Sequence, residues 1–273
     1  MKIWCQLPIC MPKDLYGGYY DLLMQDYNLF KDKETEVTIK DVPTGIMDPE
    51  LISYLGFRLV NDTENIRSML KAESEGYEAI AGACYFDTGI KGARNLGSIP
   101  VAGAAEASMH LACLIGNSFA VVTSEPTWVK EMEHHLRELG FGHSAISHKP
   151  VRSLTIPFEE FVKCMMSGNF NPVIENFIEV SKGCLEDDAE VIIAGCGLIS
   201  PMLTTRGVRE IEGAPIIDPM IVSLKFAELM ARLSKAGMKI KSTRGLFAIP
   251  SCEKRLKGLR ELRLLHQKQF NDQ

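Results

Sequence analysis

Short apolar segments rich in β-branched residues alternate along this chain with longer stretches whose apolar positions recur every three or four residues. The first pattern fits strands, whose side chains alternate between faces, and the second fits helices that bury one stripe. Strands are expected at residues 2–5, 36–39, 78–83, 99–102, 119–122, 191–194 and 215–217. Helices are expected at 66–74, 127–139, 158–166, 172–185 and 221–235, with another running through Glu106, His110 and Leu114. Gly76, Gly140 and Gly237 follow three of these helices, where a left-handed residue ends the last turn. Residues 142–153 read as a polar loop containing histidines. Strands alternating with helices predict an α/β fold with largely parallel sheets.

The pattern also repeats. The run EGYEAIAGACYFDTGIKGARNLGSIPVAGAAEASMHLACLI has a later counterpart, DDAEVIIAGCGLISPMLTTRGVREIEGAPIIDPMIVSLKFAELM. Each passes from an acidic turn into an apolar strand, a glycine–cysteine end, a helix with arginine, a second strand and a second helix. Repetition on this scale predicts two pseudo-symmetric Rossmann-like halves. The expected division is 1–104 and 105–215, with 216–273 packing back on the first half. Parallel sheets bind ligands at the carboxyl ends of their strands. Cys84 and Cys196 end equivalent strands of the repeat, so they should face one another across the cleft between the halves.

Composition narrows the function. With 46% hydrophobic and 24% charged residues, the 273-residue chain is ordinary for a globular protein. A net charge of −5 argues against nucleic acid, which demands a basic surface. The apolar runs are too short for a bilayer span, and Gln6 and Pro8 interrupt the only leader-like stretch, so no membrane contact and a cytoplasmic location are expected. In a reducing compartment the cysteines are free thiols. No CxxC pair or zinc-like spacing occurs, so no metal is expected, and no nucleotide loop implies a cofactor. Cys5, Cys10, Cys113, Cys164, Cys184 and Cys252 read as small buried hydrophobes.

Two thiols across one cleft suit a reaction that removes a proton from one face of a carbon and returns one to the other. One acts as thiolate base and the other as thiol acid. The helices expected near Thr88 and Ser200 offer backbone N–H groups that would draw the thiol pKa values toward neutrality. Gly89 and Gly197 would let the backbone approach a ligand.

At these residues the chain resembles the aspartate/glutamate/hydantoin racemase superfamily, and within it the hydantoin racemases. The run GYEAIAGACYFDTGIKGARNLGSIPVAGAAEASMHLA resembles their first cysteine block, and AEVIIAGCGLIS with GAPIIDPMIVSLKFAEL their second. The resemblance spans roughly residues 76–235. It implies a cofactor-independent racemase or epimerase acting at a carbon next to a carbonyl in a hydantoin-like small molecule, with Cys84 and Cys196 as the acid/base pair. It also places Thr123 and Ser124 among donors to the substrate, and the loops bring Pro8, Tyr85, Phe86, Gly197 and Leu198 to the same site. Gln6-Leu7-Pro8-Ile9 stands where relatives often carry Asn-Pro-Asn-Thr. Gly197-Leu198 replaces the Thr-His of glutamate racemases, and Tyr85-Phe86 the Asn-Thr of aspartate racemases. Arylmalonate decarboxylases keep only the second cysteine. Maleate isomerases keep both and remain an alternative, as does a non-catalytic protein that only binds a small molecule.

The remaining polar residues have structural readings. Asp87 and Asp218 are expected to cap backbone N–H groups. Glu106 and His110 would pair on one helical face, and His134, His135, His143 and His148 would lie at the surface. Residues 20–59 form an insertion relative to a minimal hydantoin racemase. The basic stretch 253–269 carries Leu256, Leu259, Leu262 and Leu265 or His266 at helical spacing. That spacing predicts an amphipathic helix packing on its own domain or on a neighbouring copy, which would allow a homo-oligomer.

Overall fold

The computed structural model describes residues 1–248 and 251–261. Two sheets form it. The first takes strands β1 (Lys2–Gln6), β2 (Glu36–Lys40), β3 (Ala79–Gly82) and β4 (Val101–Ala102), in the spatial order β2-β1-β3-β4 and all parallel. The second takes β5 (Phe119–Thr123), β6 (Val151–Ser153), β7 (Val191–Ala194), β8 (Glu210–Ile211) and β9 (Ala214–Ile217), in the order β6-β5-β7-β9-β8. Strands β6, β5, β7 and β9 are parallel, and the short β8 pairs antiparallel with β9 at the edge. Apart from that hairpin, the two sheets have the same winding: second strand, first, third, fourth. The repeat read in the sequence is therefore a repeat of topology.

The middle strands β3, β5 and β7 are buried at every position. Helices cover both faces of a parallel sheet, so its central strands are apolar throughout rather than alternating. Helices α1 (Lys13–Phe30), α2 (Leu55–Ser74) and α3 (Ile90–Leu96) belong to the first half. Helix α4 (Ala104–Ile115) crosses to the second, which carries α5 (Pro126–Glu138), α6 (Phe158–Ser167), α7 (Asn171–Glu186) and α8 (Ile199–Thr205). Helix α9 (Pro219–Lys235) then returns to pack on β3 and α4, where Ser223 donates to the carbonyl of Ala102 at 3.1 Å. A last helix, α10 (Cys252–Glu261), buries Leu259; Leu262, Leu265 and His266 lie outside the described residues.

Besides the short β8, several features escaped the periodicity. The segment expected to be a polar loop at 142–153 contains β6, three residues long, which pairs with β5. Helix α1 has no counterpart among the expected helices: Gly17 and Gly18 dilute its pattern, and Tyr16 leaves helical geometry (φ −114°, ψ 17°). Helix α2 begins eleven residues before the expected 66, in the exposed apolar run Tyr54, Leu55, Phe57, Leu59 and Val60. Among the described residues no helix is long and apolar enough to cross a membrane.

Candidate active site

Both cysteines follow the third strand of their sheet. After β3, Ala83 continues the ladder by donating to the Gln6 carbonyl at 2.9 Å, and the chain then turns at Cys84, closed by Asp87 N–H donating to the Cys84 carbonyl at 3.0 Å. After β7, Gly195 donates to the Val122 carbonyl at 2.8 Å. A side chain at Gly195 would come within 2.3 Å of Val121 Cγ1, so only glycine lets the strand end against β5 and turn Cys196 outward. Ile199 and Ser200 N–H then bond to the Cys196 carbonyl at 3.1 Å each, opening α8.

The two turns meet at one apolar cavity of about 80 Å³, to which Cys84 and Cys196 both contribute. Pro8, Tyr85, Phe86, Gly197 and Leu198 line it too, so these candidate residues come together. Thr123 and Ser124 do not. Thr123 is fully buried with no partner for its hydroxyl, whereas Ser124 turns to Cys196, its Oγ 3.5 Å from the sulfur. Tyr19, Ile52 and Trp128 line the cavity although no sequence signal marks them. Tyr19 rides on the unforeseen α1, and Ile52 on a 3-10 turn, Pro49–Ser53, inside the insertion. Trp128 sits on the inward stripe of α5, a position indistinguishable in sequence from ordinary core.

The insertion thus forms a wall of the site. Its turn is capped by Asp48, whose carboxylate accepts from Glu50 N–H at 3.0 Å, and is tied to the second half by Trp128 Nε1 donating to Ser53 Oγ. Phe86 stands edge-on to Trp128, ring centroids 5.7 Å apart, with the Arg58 guanidinium 4.8 Å from its ring centre. Arg58 in turn pairs with Glu131 at 2.5 Å. At about 80 Å³ the pocket is small, and it is partly open to solvent rather than enclosed.

Burial decides the state of both thiols. It pushes Cys84 up to about 11, against a hydrogen bond from Thr88 and one from Phe86 N–H, and the charges of Asp87 and Cys196 act in the same upward direction. Cys196 is also pushed up by burial, against hydrogen bonds from Ser124 and from the N–H groups of Leu198 and Ile199, with Glu125 adding to the rise. The N–H groups expected at both turns are therefore present, but they do not draw the thiols down to neutrality. Desolvation of the charged form outweighs them.

Around the site, Asp87 and Asp218 both act as caps. Asp87 accepts from Ala105 and Glu106 N–H at 3.0 Å each at the start of α4, and Asp218 caps α9 through Met220 and Ile221 N–H. Gly89 does not face a ligand. With φ +72°, it packs against α2, where a side chain would lie 2.9 Å from Asn65 Cβ. Glu106 pairs with Arg94 at 2.6 Å rather than with the His110 ring, which bonds to the Glu106 carbonyl. His135 is not a surface residue; its ring is mostly buried, 3.7 Å from Asp87. Of the other cysteines, Cys113 is exposed and Cys10 half-buried, contrary to the reading of all six as core. Among the described residues no group of three or more His, Cys, Asp or Glu could hold a metal ion.

Comparison with known proteins gives this geometry its context. A profile of the Asp/Glu/Hydantoin racemase family matches residues 33–227. The hydantoin racemase of Pseudomonas sp. (strain NS671) is 29% identical over 65% of this chain and 68% of that protein. The hydantoin racemase of Paenarthrobacter aurescens is 26% identical over 68% of this chain and 73% of its own. Among solved structures, the allantoin racemase from Klebsiella pneumoniae superposes with a TM-score of 0.74 and 20% identity, covering 92% of this chain and 94% of that one. The allantoin racemase from Pseudomonas fluorescens gives the same score and identity, covering 92% of this chain and 97% of its own length. The profile spans most of the chain and both cysteine turns, and the chain belongs to the Asp/Glu/hydantoin racemase family.

Proposed function

We propose that this isomerase racemises a hydantoin-like ring by proton transfer between Cys84 and Cys196, without a cofactor. The observation that carries the reading is that two thiols at equivalent strand ends of a duplicated fold open into the same cavity. In this scheme one cysteine, as thiolate, takes the proton from the carbon next to the carbonyl, and the electron pair moves onto the carbonyl oxygen. The other cysteine gives its thiol proton to the opposite face, leaving a thiolate there and a thiol where the base began. The reverse enantiomer uses the pair with roles exchanged.

The lining favours a neutral ring with an apolar substituent over a free acidic amino acid. Ile52, Phe86, Trp128 and Leu198 form much of the wall, and no charged side chain among the described residues lines it. An apolar substituent gains about 25 cal/mol per Å² buried there, whereas an ammonium or second carboxylate would be desolvated without a partner. The test is incubation in D₂O with single enantiomers of 5-alkyl and 5-benzyl hydantoins, allantoin, aspartate and glutamate. Deuterium uptake is followed by NMR and inversion by optical rotation. The reading requires both signals with a ring substrate; faster turnover of aspartate or glutamate would overturn it.

A further inference from the structure

Tyr19 belongs to the first half, on α1, yet its hydroxyl donates to the Gly197 carbonyl in the second half at 3.0 Å. The ring lines the cavity and the residue is only 6% exposed. The Gly197 carbonyl and the Leu198 N–H are two ends of one peptide group. No cis peptide occurs among the described residues, so these ends point in opposite directions. At its far end, the Leu198 N–H is one of the groups that lower the Cys196 thiol against the effect of burial. The phenol therefore holds one end of an amide whose other end acts on the thiol. A hydrogen bond donated to an amide carbonyl polarises the group and strengthens its N–H as a donor.

We propose that Tyr19 is a positioning residue for Cys196: by bonding to the Gly197 carbonyl it orients and polarises the Gly197–Leu198 peptide, which stabilises negative charge on the Cys196 sulfur. Two further observations fit. A side chain at Gly197 would lie 3.0 Å from the Ala83 carbonyl and 3.5 Å from Tyr19 Oη, so glycine keeps the peptide within reach of the phenol. Burial and the neighbouring Cys5, Cys196 and Cys84 push the Tyr19 hydroxyl well above the ordinary tyrosine range, so it stays protonated and able to donate. The phenol also links the halves directly, tying the Cys196 turn to the half that carries Cys84.

The inference rests on the reading of Cys196 as an acid/base group, but its main test needs no substrate. The wild type and Tyr19→Phe are pulsed with iodoacetamide from neutral to alkaline pH, and labelling of Cys196 and Cys84 is read peptide by peptide by mass spectrometry. Entry of the reagent is common to both thiols, so the ratio of the two against pH isolates ionisation. The variant keeps the ring and loses only the donor. Its Cys196 profile moves to higher pH, with roughly three- to tenfold less thiolate at a given pH, the size of one lost hydrogen bond, while the Cys84 profile stays in place. An unmoved Cys196, or equal shifts of both thiols, overturns the proposal. Replacing Tyr19 with 3-fluorotyrosine, a stronger donor of nearly the same size, must move Cys196 the other way and covers the case in which the phenylalanine variant fails to fold. A shift at Cys196 in a protein that racemises nothing would leave Tyr19's role standing and remove the proton-transfer reading. Racemisation by the wild type with an unmoved Cys196 in the variant would remove Tyr19's role and leave the proton-transfer reading standing.

Discussion

The turns at Cys84 and Cys196 occupy the same place in two copies of one topology, yet they surround their sulfurs differently. Cys196 is buried, with Ser124 Oγ 3.5 Å from its sulfur, and the N–H groups of Leu198 and Ile199 act to lower its thiol against burial. Cys84 is half-buried, receives a bond from the Phe86 N–H and one from Thr88, and sits beside the Asp87 carboxylate, whose position is fixed by the start of α4. Duplication has preserved where each thiol stands, because strand order and strand length fix that. It has not preserved how each is solvated, because that depends on the few residues of the following turn. The difference gives the Cys196 turn more donors for a thiolate, and the Cys84 turn a neighbouring charge that favours the thiol.

The largest expected effect comes from removing either sulfur. Cys84→Ala and Cys196→Ala should each lower racemisation by about 10³-fold, within the range supplied by general acid–base groups. Each should retain deuterium exchange into one enantiomer only, and the two variants should retain opposite ones. NMR in D₂O with resolved substrate reads both quantities. Racemisation that survived either change would remove the pair from the mechanism.

The pH dependence comes next. Both thiols of the free enzyme are held above the ordinary cysteine range, Cys84 at about 11. A group whose pKa lies above the working pH gains thiolate about tenfold for each unit of pH. kcat/KM should therefore climb steadily from neutral into alkaline pH, the sign expected of thiols raised by burial. A profile already level at neutrality would mean the thiols are ionised at rest, and that Leu198, Ile199 and Phe86 outweigh desolvation after all.

The comparison sharpens at the two hydroxyls. Ser124→Ala should cut kcat/KM by roughly three- to tenfold through Cys196, and Thr88→Val by a similar factor through Cys84. In each variant the alkylation profile should move only at the thiol that lost its donor. Crossed effects would show that the two turns act as one unit rather than as two independently solvated sites.

Much of this was legible in the sequence because repetition and periodicity report topology. The strand-end cysteines fell out of the repeat, and the same residues that mark the turns, Tyr85-Phe86 and Gly197-Leu198, line the cavity. What stayed hidden had no periodic signal. Tyr19 lies beyond two glycines and a non-helical Tyr16, which mask its helix. Ile52 reaches the site only because Asp48, Ser53 and Trp128 fold the insertion over it. Thr123 and Ser124 are adjacent in sequence and equivalent in expectation. Strand alternation sends one side chain into the core and leaves the other at the strand end, against Cys196. The thiol pKa values run opposite to expectation for a related reason: helix N-termini are visible in sequence, but the depth at which they are buried is not.

The smallest expected effect tests whether the asymmetry extends below the sulfurs. Behind the Cys196 turn, Thr204 on α8 donates to Asp218 at 2.6 Å, and Asp26 on α1 lies fully buried beside the same carboxylate. Burial raises Asp26 to about 10, the Asp218 charge and hydrogen bond add to the rise, and Arg209 opposes it. The folded protein therefore keeps a proton on Asp26 that the unfolded chain releases above about pH 4. Where the folded state binds more protons than the unfolded, stability falls as pH rises, so Asp26 weakens the protein progressively between about pH 4 and pH 10. Asp26→Asn keeps the shape, can donate to Asp218, and removes the proton. Its melting temperature should match the wild type near pH 4 and exceed it by several degrees near pH 9, at roughly 2–4 °C per kcal/mol for a chain of this class. An equal gain at both pH values would point to packing rather than titration. A loss at both would mean that the Asp26–Asp218 contact, which joins α1 of the first half to the start of α9, needs a shared proton.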